Sequence, residues 1–232
     1  MGINFSNNSF HKSKKMNFLH HLDVPTKKAT FGMGCFWGVE SLFGSLIGVI
    51  STRVGFTGGD KEAPVYKNLG NHIEAVEIDF DPSVVSYENL LNVFWTNHNP
   101  TARMSRQYIS AIFYHDNEQK ELAEKSIKEQ QEKAKMNILT IIEPAKMFYN
   151  AEDYHQKYRL QQHTYLMDAL GLRGKPEALL KSHVAARLNG YVVGLGGIQQ
   201  FEAEADKLGL SGKILDYVKN LVIKYEGHGL SC

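Results

Sequence analysis

The chain is poor in cysteine: Cys35 and Cys232 are the only two among its 232 residues. So few cysteines exclude a disulfide-stapled secreted scaffold and favour a reducing compartment, here the cytoplasm, where a cysteine more often does chemistry than holds structure. Charge of either sign is not in excess. With 26 Lys and Arg against 25 Asp and Glu, neither a nucleic-acid partner nor a charged membrane surface is indicated. No apolar run approaches membrane-spanning length, and residues 1–26 lack the apolar centre of a secretory signal, so no stable membrane insertion is expected. His20, His21, His72, His98, His155 and His163 are scattered, without zinc spacing. No phosphate-cradling glycine loop followed by a helix and a lysine is found, so neither metal nor nucleotide is expected. Internal repeats are missing as well.

What is present begins at Cys35, in the run Phe31-Gly32-Met33-Gly34-Cys35-Phe36-Trp37-Gly38. The residues before it, Lys28 to Phe31, alternate as a short strand. After it, Phe36, Val39, Glu40, Phe43 and Leu46 recur at helical spacing. The cysteine therefore sits where a strand hands over to a helix, in a glycine-flanked turn where unpaired amides and the helix dipole favour a thiolate. Two large aromatics follow at once and offer an apolar wall. A buried, inert cysteine is the plain alternative.

Further along, Val49 to Phe56 is rich in β-formers and a loop runs from Gly58 to Asn71. Glu74 to Phe80 alternates, with Val76, Ile78 and Phe80 on one side and Glu77 and Asp79 on the other. At the start of this alternating strand, beside His72, Glu74 reads as a surface carboxylate rather than an acid. Ser86 can cap a helix with the stripe Leu90, Leu91, Phe94 and Trp95, and Ile109 to Tyr114 forms a fourth strand. The order strand–helix–strand–strand–helix–strand predicts an α+β fold, a two-layer ferredoxin-like sandwich with a mainly antiparallel sheet. A solvated helix is expected over Asn117–Lys135, a strand over Ile138–Glu143 and a long helix over Ala151–Leu170. Three parts follow: a flexible segment 1–26, a main domain 27–174, and an extension 175–232. The extension's clearest element, Gly212 to Glu226, carries an apolar stripe suited to docking on the main domain. Ser211 is a candidate cap for it. The tail beyond is glycine-hinged and carries Cys232.

Gly34-Cys35-Phe36-Trp37-Gly38-Val39-Glu40 resembles the signature of the peptide methionine sulfoxide reductase A (MsrA) family. The resemblance continues in order through Gly55-Phe56-Thr57-Gly58-Gly59, Pro64-Val65-Tyr66, His72-Ile73-Glu74, Phe80-Asp81-Pro82, Phe94-Trp95 and Gln107-Tyr108. It reaches Phe148-Tyr149-Asn150-Ala151-Glu152-Asp153-Tyr154-His155-Gln156. The extension is similar to that of animal members. The resemblance implies reduction of methionine-S-sulfoxide, free or in proteins, with Cys35 as nucleophile, Glu74 as acid and the hydroxyls of Tyr66 and Tyr108 holding the sulfoxide oxygen. Phe36 and Trp37 would enclose the S-methyl group, a suitable task for aromatic faces. Cys35 would become a sulfenic acid. Cys232 is the candidate resolving thiol, and thioredoxin the expected reductant of the disulfide. A monomer without cofactor is expected.

Two departures stand out. The loop between Tyr66 and His72 is short, only Lys67 to Asn71. Where the family often carries an aspartate and glycine, this chain has Thr101-Ala102-Arg103-Met104-Ser105-Arg106, which suggests a more basic and open mouth. Two rival classes stay open at this stage: a cysteine hydrolase pairing Cys35 with His72 or His155, and a non-catalytic peptide reader. Met1-Gly2-Ile3-Asn4-Phe5-Ser6 also fits the acceptor pattern for myristoylation of Gly2, with Lys12, Lys14 and Lys15 as the electrostatic second anchor.

Overall fold

The computed structural model describes residues 17–229. Gly2, Lys12, Lys14, Lys15 and Cys232 lie outside the described residues. Strands β1 (Lys27–Met33), β2 (Val49–Thr57), β3 (Ile73–Phe80) and β4 (Ser110–Tyr114) alternate with helices α1 (Phe36–Gly44) and α2 (Tyr87–Thr96). The four strands lie in the order β4-β1-β3-β2 and all pair antiparallel. This is the split arrangement expected. Short edges complete a mixed six-stranded sheet: β5 (Ile141–Pro144) runs parallel to β4, and β6 (Tyr149–Asn150) antiparallel to β2.

One face of the sheet packs against α1 and α2. Phe31, Val76, Ile78 and Ile112 from the strands meet Val39, Phe43, Leu90 and Phe94 from the helices. Ser86 begins α2 with a reciprocal capping box to Asn89. Helix α3 (Asn117–Lys133) is capped by Asp116 and buries only Gln119 and Ala123, a solvated helix as its composition foretold.

Glu77 lies on the other face of β3 from Val76, and it is buried there because Arg53 and Lys28 reach over it at 2.7 and 2.9 Å. One expectation fails for an identifiable reason. The helix expected over Ala151–Leu170 is broken. It becomes a 3₁₀ turn (Asp153–His155), helix α4 (Tyr158–Gln161) and helix α5 (Thr164–Ala169). Local propensity is overridden by long-range bonds. The Gln156 side chain replaces a strand partner, donating to the Val54 carbonyl at 2.9 Å and accepting from the Val54 amide at 3.0 Å. Lys157 takes a left-handed conformation, φ 45°, in which its amide donates to Glu40 Oε2 at 2.7 Å.

The extension forms α6 (Pro176–Lys181), α7 (His183–Tyr191), α8 (Gly197–Glu204) and α9 (Gly212–Tyr225). They share a core of Leu166, Val184, Leu188, Tyr191, Phe201, Ile214, Val218 and Val222. Ser211 precedes α9, but its side chain makes no cap bond. Helices α7 and α1 approach so closely that a Cβ on Gly44 would lie 2.4 Å from the Ala186 carbonyl oxygen. Residues 19 and 20, within the segment expected as a flexible lead-in, are bonded to the extension. The Leu19 amide donates to Leu208, while the Leu19 and His20 carbonyls accept from the first amides of α7.

Candidate active site

Strand β1 ends at Met33, and Gly34, at φ 90°, turns the chain so that Cys35 stands as the N-cap of α1. A side chain at that φ would strain the backbone, which accounts for the glycine. Cys35 is half-buried and lies at the positive end of the helix. The next residue links it to the rest of the site: the amide of Phe36 donates to Glu74 Oε2 at 3.1 Å.

Glu74 is only 1 % exposed, contrary to the surface position read from its place at the start of the strand. It shares the parity of Val76 and Ile78, so it faces the helical layer where the sheet runs out beneath the start of α1. Its Oε1 accepts from Gln107 Nε2 at 2.7 Å. Burial holds the carboxyl above the usual carboxylate range, against the opposing hydrogen bonds from Gln107 and the Phe36 amide. No cation is among the groups that shift it.

Gln107 Nε2 also reaches the Tyr108 hydroxyl at 3.2 Å. Burial raises the Tyr108 phenol well above its ordinary value, followed by a hydrogen bond with Tyr66 and by the negative charge that Glu74, Tyr66 and Cys35 can carry. The structure thus brings Cys35, Glu74, Tyr66 and Tyr108 together. Tyr108 ends a 3₁₀ turn, Arg106–Tyr108. Arg106 fastens this turn by donating to the carbonyls of Asn71, at 3.0 Å, and Gly58, at 3.1 Å. The unusual basic stretch therefore ties the Tyr108 turn to the short loop, with Arg106 serving as a brace.

The aromatic wall forms on the other side. Phe36 packs with Val54, Phe56, Leu69 and Ala151, and Trp37 and Tyr66 lie against that cluster. Trp37 stacks flat on Tyr158, ring centroids 3.8 Å apart. Its indole Nε1 donates to His155 Nδ1 at 3.0 Å. Tyr66 is fixed from its backbone, the amide donating to Glu152 Oε1 at 3.0 Å. Sequence reasoning gave no role to Gln107, Glu152 or Tyr158 and considered His155 only as a base. The dipeptide Gln107-Tyr108 and the run from Glu152 to His155 were the signals present.

The histidines weighed as partners for Cys35 are engaged elsewhere. His72 accepts from the Gly59 amide at 3.2 Å and bonds the Lys61 carbonyl at 2.7 Å, and His155 Nδ1 is taken by Trp37. Among the described residues there is no cluster of His, Cys, Asp and Glu fit to hold a metal, and no helix is long and apolar enough to cross a membrane.

The family model for peptide methionine sulfoxide reductase matches residues 27–187, and that for the helical domain of selenoprotein methionine sulfoxide reductase A matches residues 174–223. A Drosophila melanogaster protein named peptide methionine sulfoxide reductase is 47 % identical over 226 residues, covering 95 % of this chain and 91 % of its own length. A relative from Methanothermobacter thermautotrophicus, named peptide methionine sulfoxide reductase MsrA, is 46 % identical over 162 residues, 63 % of this chain and 96 % of its own. Among solved structures, reduced Mxr1 from Saccharomyces cerevisiae aligns with a TM-score of 0.55 at 32 % identity, covering 60 % of this chain and 86 % of its own. Methionine sulfoxide reductase A of Corynebacterium diphtheriae aligns at 0.52, also 32 % identical, covering 60 % of this chain and 76 % of its own. The chain belongs to the peptide methionine sulfoxide reductase family and is an oxidoreductase acting on methionine sulfoxide.

Proposed function

We propose that the enzyme reduces the S epimer of methionine sulfoxide, free or in proteins, through Cys35. The observation that carries this reading is the buried Glu74, uncompensated by any cation and bonded to the amide next to Cys35. A sulfoxide oxygen leaves sulfur only once it is protonated. A carboxyl with a raised pKa keeps a proton to give, an effect generally worth ~10²- to 10⁴-fold. Tyr66 and Tyr108 hold the oxygen, and Phe36 and Trp37 enclose the methyl group. The Cys35 thiolate attacks the sulfoxide sulfur while Glu74 protonates the oxygen. Cys35 gains the oxygen as a sulfenic acid, and methionine, reduced by two electrons, departs.

Cys232 then attacks Cys35, releasing water and forming a disulfide that a dithiol protein of the thioredoxin type reduces. A route for the tail supports this step. A cavity of about 270 Å³ is lined by Gly38 and Ser41 of α1, by Val192, Val193 and Leu195, and by His228 and Gly229 at the end of the described chain. Gly38 lies ~4.5 Å along the helix from Cys35. The enzyme would work in a reducing compartment such as the cytoplasm, with acylation of Gly2 as a tether.

The test is to mix reduced protein with each epimer of a methyl sulfoxide and record product and intact mass. One equivalent of sulfide from the S epimer is expected, with a disulfide in the native chain. In Cys232→Ser, a sulfenic acid should persist and thioredoxin-driven turnover should be lost. Reduction of the R epimer alone would refute the stereochemistry, and normal turnover of Cys232→Ser would refute the resolving role.

A further inference from the structure

Two buried polar atoms in the site are left without hydrogen-bond partners: His155 Nε2 and Glu152 Oε2. They face each other across 3.9 Å, too far for a hydrogen bond. Each belongs to a side chain whose other polar atom is committed. His155 Nδ1 accepts from the Trp37 indole, so in the neutral imidazole the proton sits on Nε2, the atom turned toward Glu152. Glu152 Oε1 accepts from the Tyr66 amide. One side chain therefore holds the ring that lines the methyl pocket, and the other holds the backbone of a tyrosine that faces the oxygen.

The pair rests on a firm base. The Ala151 amide donates to the Val54 carbonyl at 3.0 Å, and the Gln156 side chain bonds both polar groups of Val54. Segment 151–156 is thus bolted to β2 on either side of Glu152 and His155. Around the imidazole lie Phe36, Trp37, Tyr66 and Tyr154, with ring centroids 4.0 to 5.7 Å away. Of these described neighbours of His155, Glu152 is the one carboxylate, and the others are aromatic rings.

We propose that Glu152 and His155 are a positioning pair that sets Trp37 and Tyr66 together, closing to a direct Nε2–H···Oε2 hydrogen bond when substrate fills the pocket. The proposal rests on the reading of Trp37 and Tyr66 as substrate-holding residues. Closure needs a movement of ~1 Å to reach an ordinary N–H···O distance. Holding Trp37 requires a neutral imidazole, because a proton on Nδ1 would turn an acceptor for the indole into a second donor. Burial favours that neutral form. Acid thus releases Trp37 by protonating His155, and the pocket loosens while the reacting groups stay in place.

The experiment compares wild type with His155→Phe and His155→Asn. Phenylalanine keeps the ring packing but removes both nitrogens. Asparagine keeps an acceptor near the Nδ1 position and does not titrate. His155→Phe should raise KM for methionine sulfoxide about tenfold, with kcat within about twofold. His155→Asn should bring KM at neutral pH back to within about threefold of wild type and abolish the acid-side rise in KM. A second readout needs no turnover. In a Trp95→Phe background, which leaves Trp37 as the lone indole, fluorescence should follow an acid transition that His155→Asn removes. An acid limb unchanged in His155→Asn, or an unaltered KM in His155→Phe, would overturn the pair while leaving the reductase reading intact. Failure of wild type to reduce any methyl sulfoxide would overturn the reductase reading instead.

Discussion

Glu74 is held where a charge is unwelcome, and its function and its cost have the same origin. Replacing it with glutamine removes the proposed proton donor but keeps the shape and the bond from the Phe36 amide. Single-turnover reduction by Glu74→Gln should fall by about 10²- to 10⁴-fold. The wild-type rate should decline as pH rises through the raised carboxyl pKa, a limb absent from the variant. Stability should move the other way. A carboxyl whose folded pKa lies above its unfolded value contributes stability below the unfolded pKa and loses it as pH rises through the folded one. Glu74→Gln should therefore melt at a higher temperature than wild type at neutral pH, and the gap should close below about pH 4. Equal melting temperatures across that range would mean that burial does not strain this carboxyl.

At the scale of elements, the seam between α1, β2 and the start of α4 depends on one buried ion pair. Glu40 and Lys157 are fully buried, with Lys157 Nζ 3.2 Å from Glu40 Oε1. Nζ also donates to the Thr52 carbonyl, and Glu40 accepts from Thr52 Oγ1 at 3.0 Å. Removing one partner strands the other charge, so Glu40→Ala should cost about 3–5 kcal/mol in urea denaturation. The double change Glu40→Ala, Lys157→Met should cost clearly less than the single one. Costs that simply add would show the two charges to be uncoupled.

The same seam shows what could be read from the sequence. The order of the βαββαβ elements, the Ser86 cap and the Cys35 turn follow from local pattern, because each depends on residues within one or two turns of chain. The break at Lys157 does not, since no glycine or proline marks it and its causes, Glu40 and Val54, lie over a hundred residues away. Glu74 was misplaced, and the burial of Glu77 missed, for a related reason. Alternation tells which face of a strand a residue occupies, but not whether Arg53 covers it or a helix N-terminus meets it. The candidate roles of Glu74, Tyr66 and Tyr108 became legible only through the ordered family resemblance. The roles of Gln107 and Glu152 depend on side-chain contacts that no spacing rule encodes.

For the whole molecule, the extension completes the polar bonding of α1. Arg187 donates to the Gly44 carbonyl at 3.0 Å, Gln200 to the Ser45 carbonyl at 2.8 Å, and Asn189 to Ser41 Oγ at 3.1 Å. Arg187 is itself buried and paired with Glu204 at 2.7 Å. A chain truncated after residue 174 would uncover these groups and the glycine face of α1 together. Its expected state is one that retains helical circular dichroism but lacks a cooperative thermal transition. A truncated chain that melts as sharply as the full one would show the extension to be dispensable for folding.

The bond from the Leu19 amide to the Leu208 carbonyl sets a timetable for synthesis. A ribosome releases Leu208 189 residues after Leu19. At roughly 5–20 residues per second, the wait is on the order of ten seconds or more. The sheet and the Cys35 turn have emerged by then, so the fold closes from the reductase core outward. The clasp between Leu19 and Leu208 therefore forms after the sheet is available.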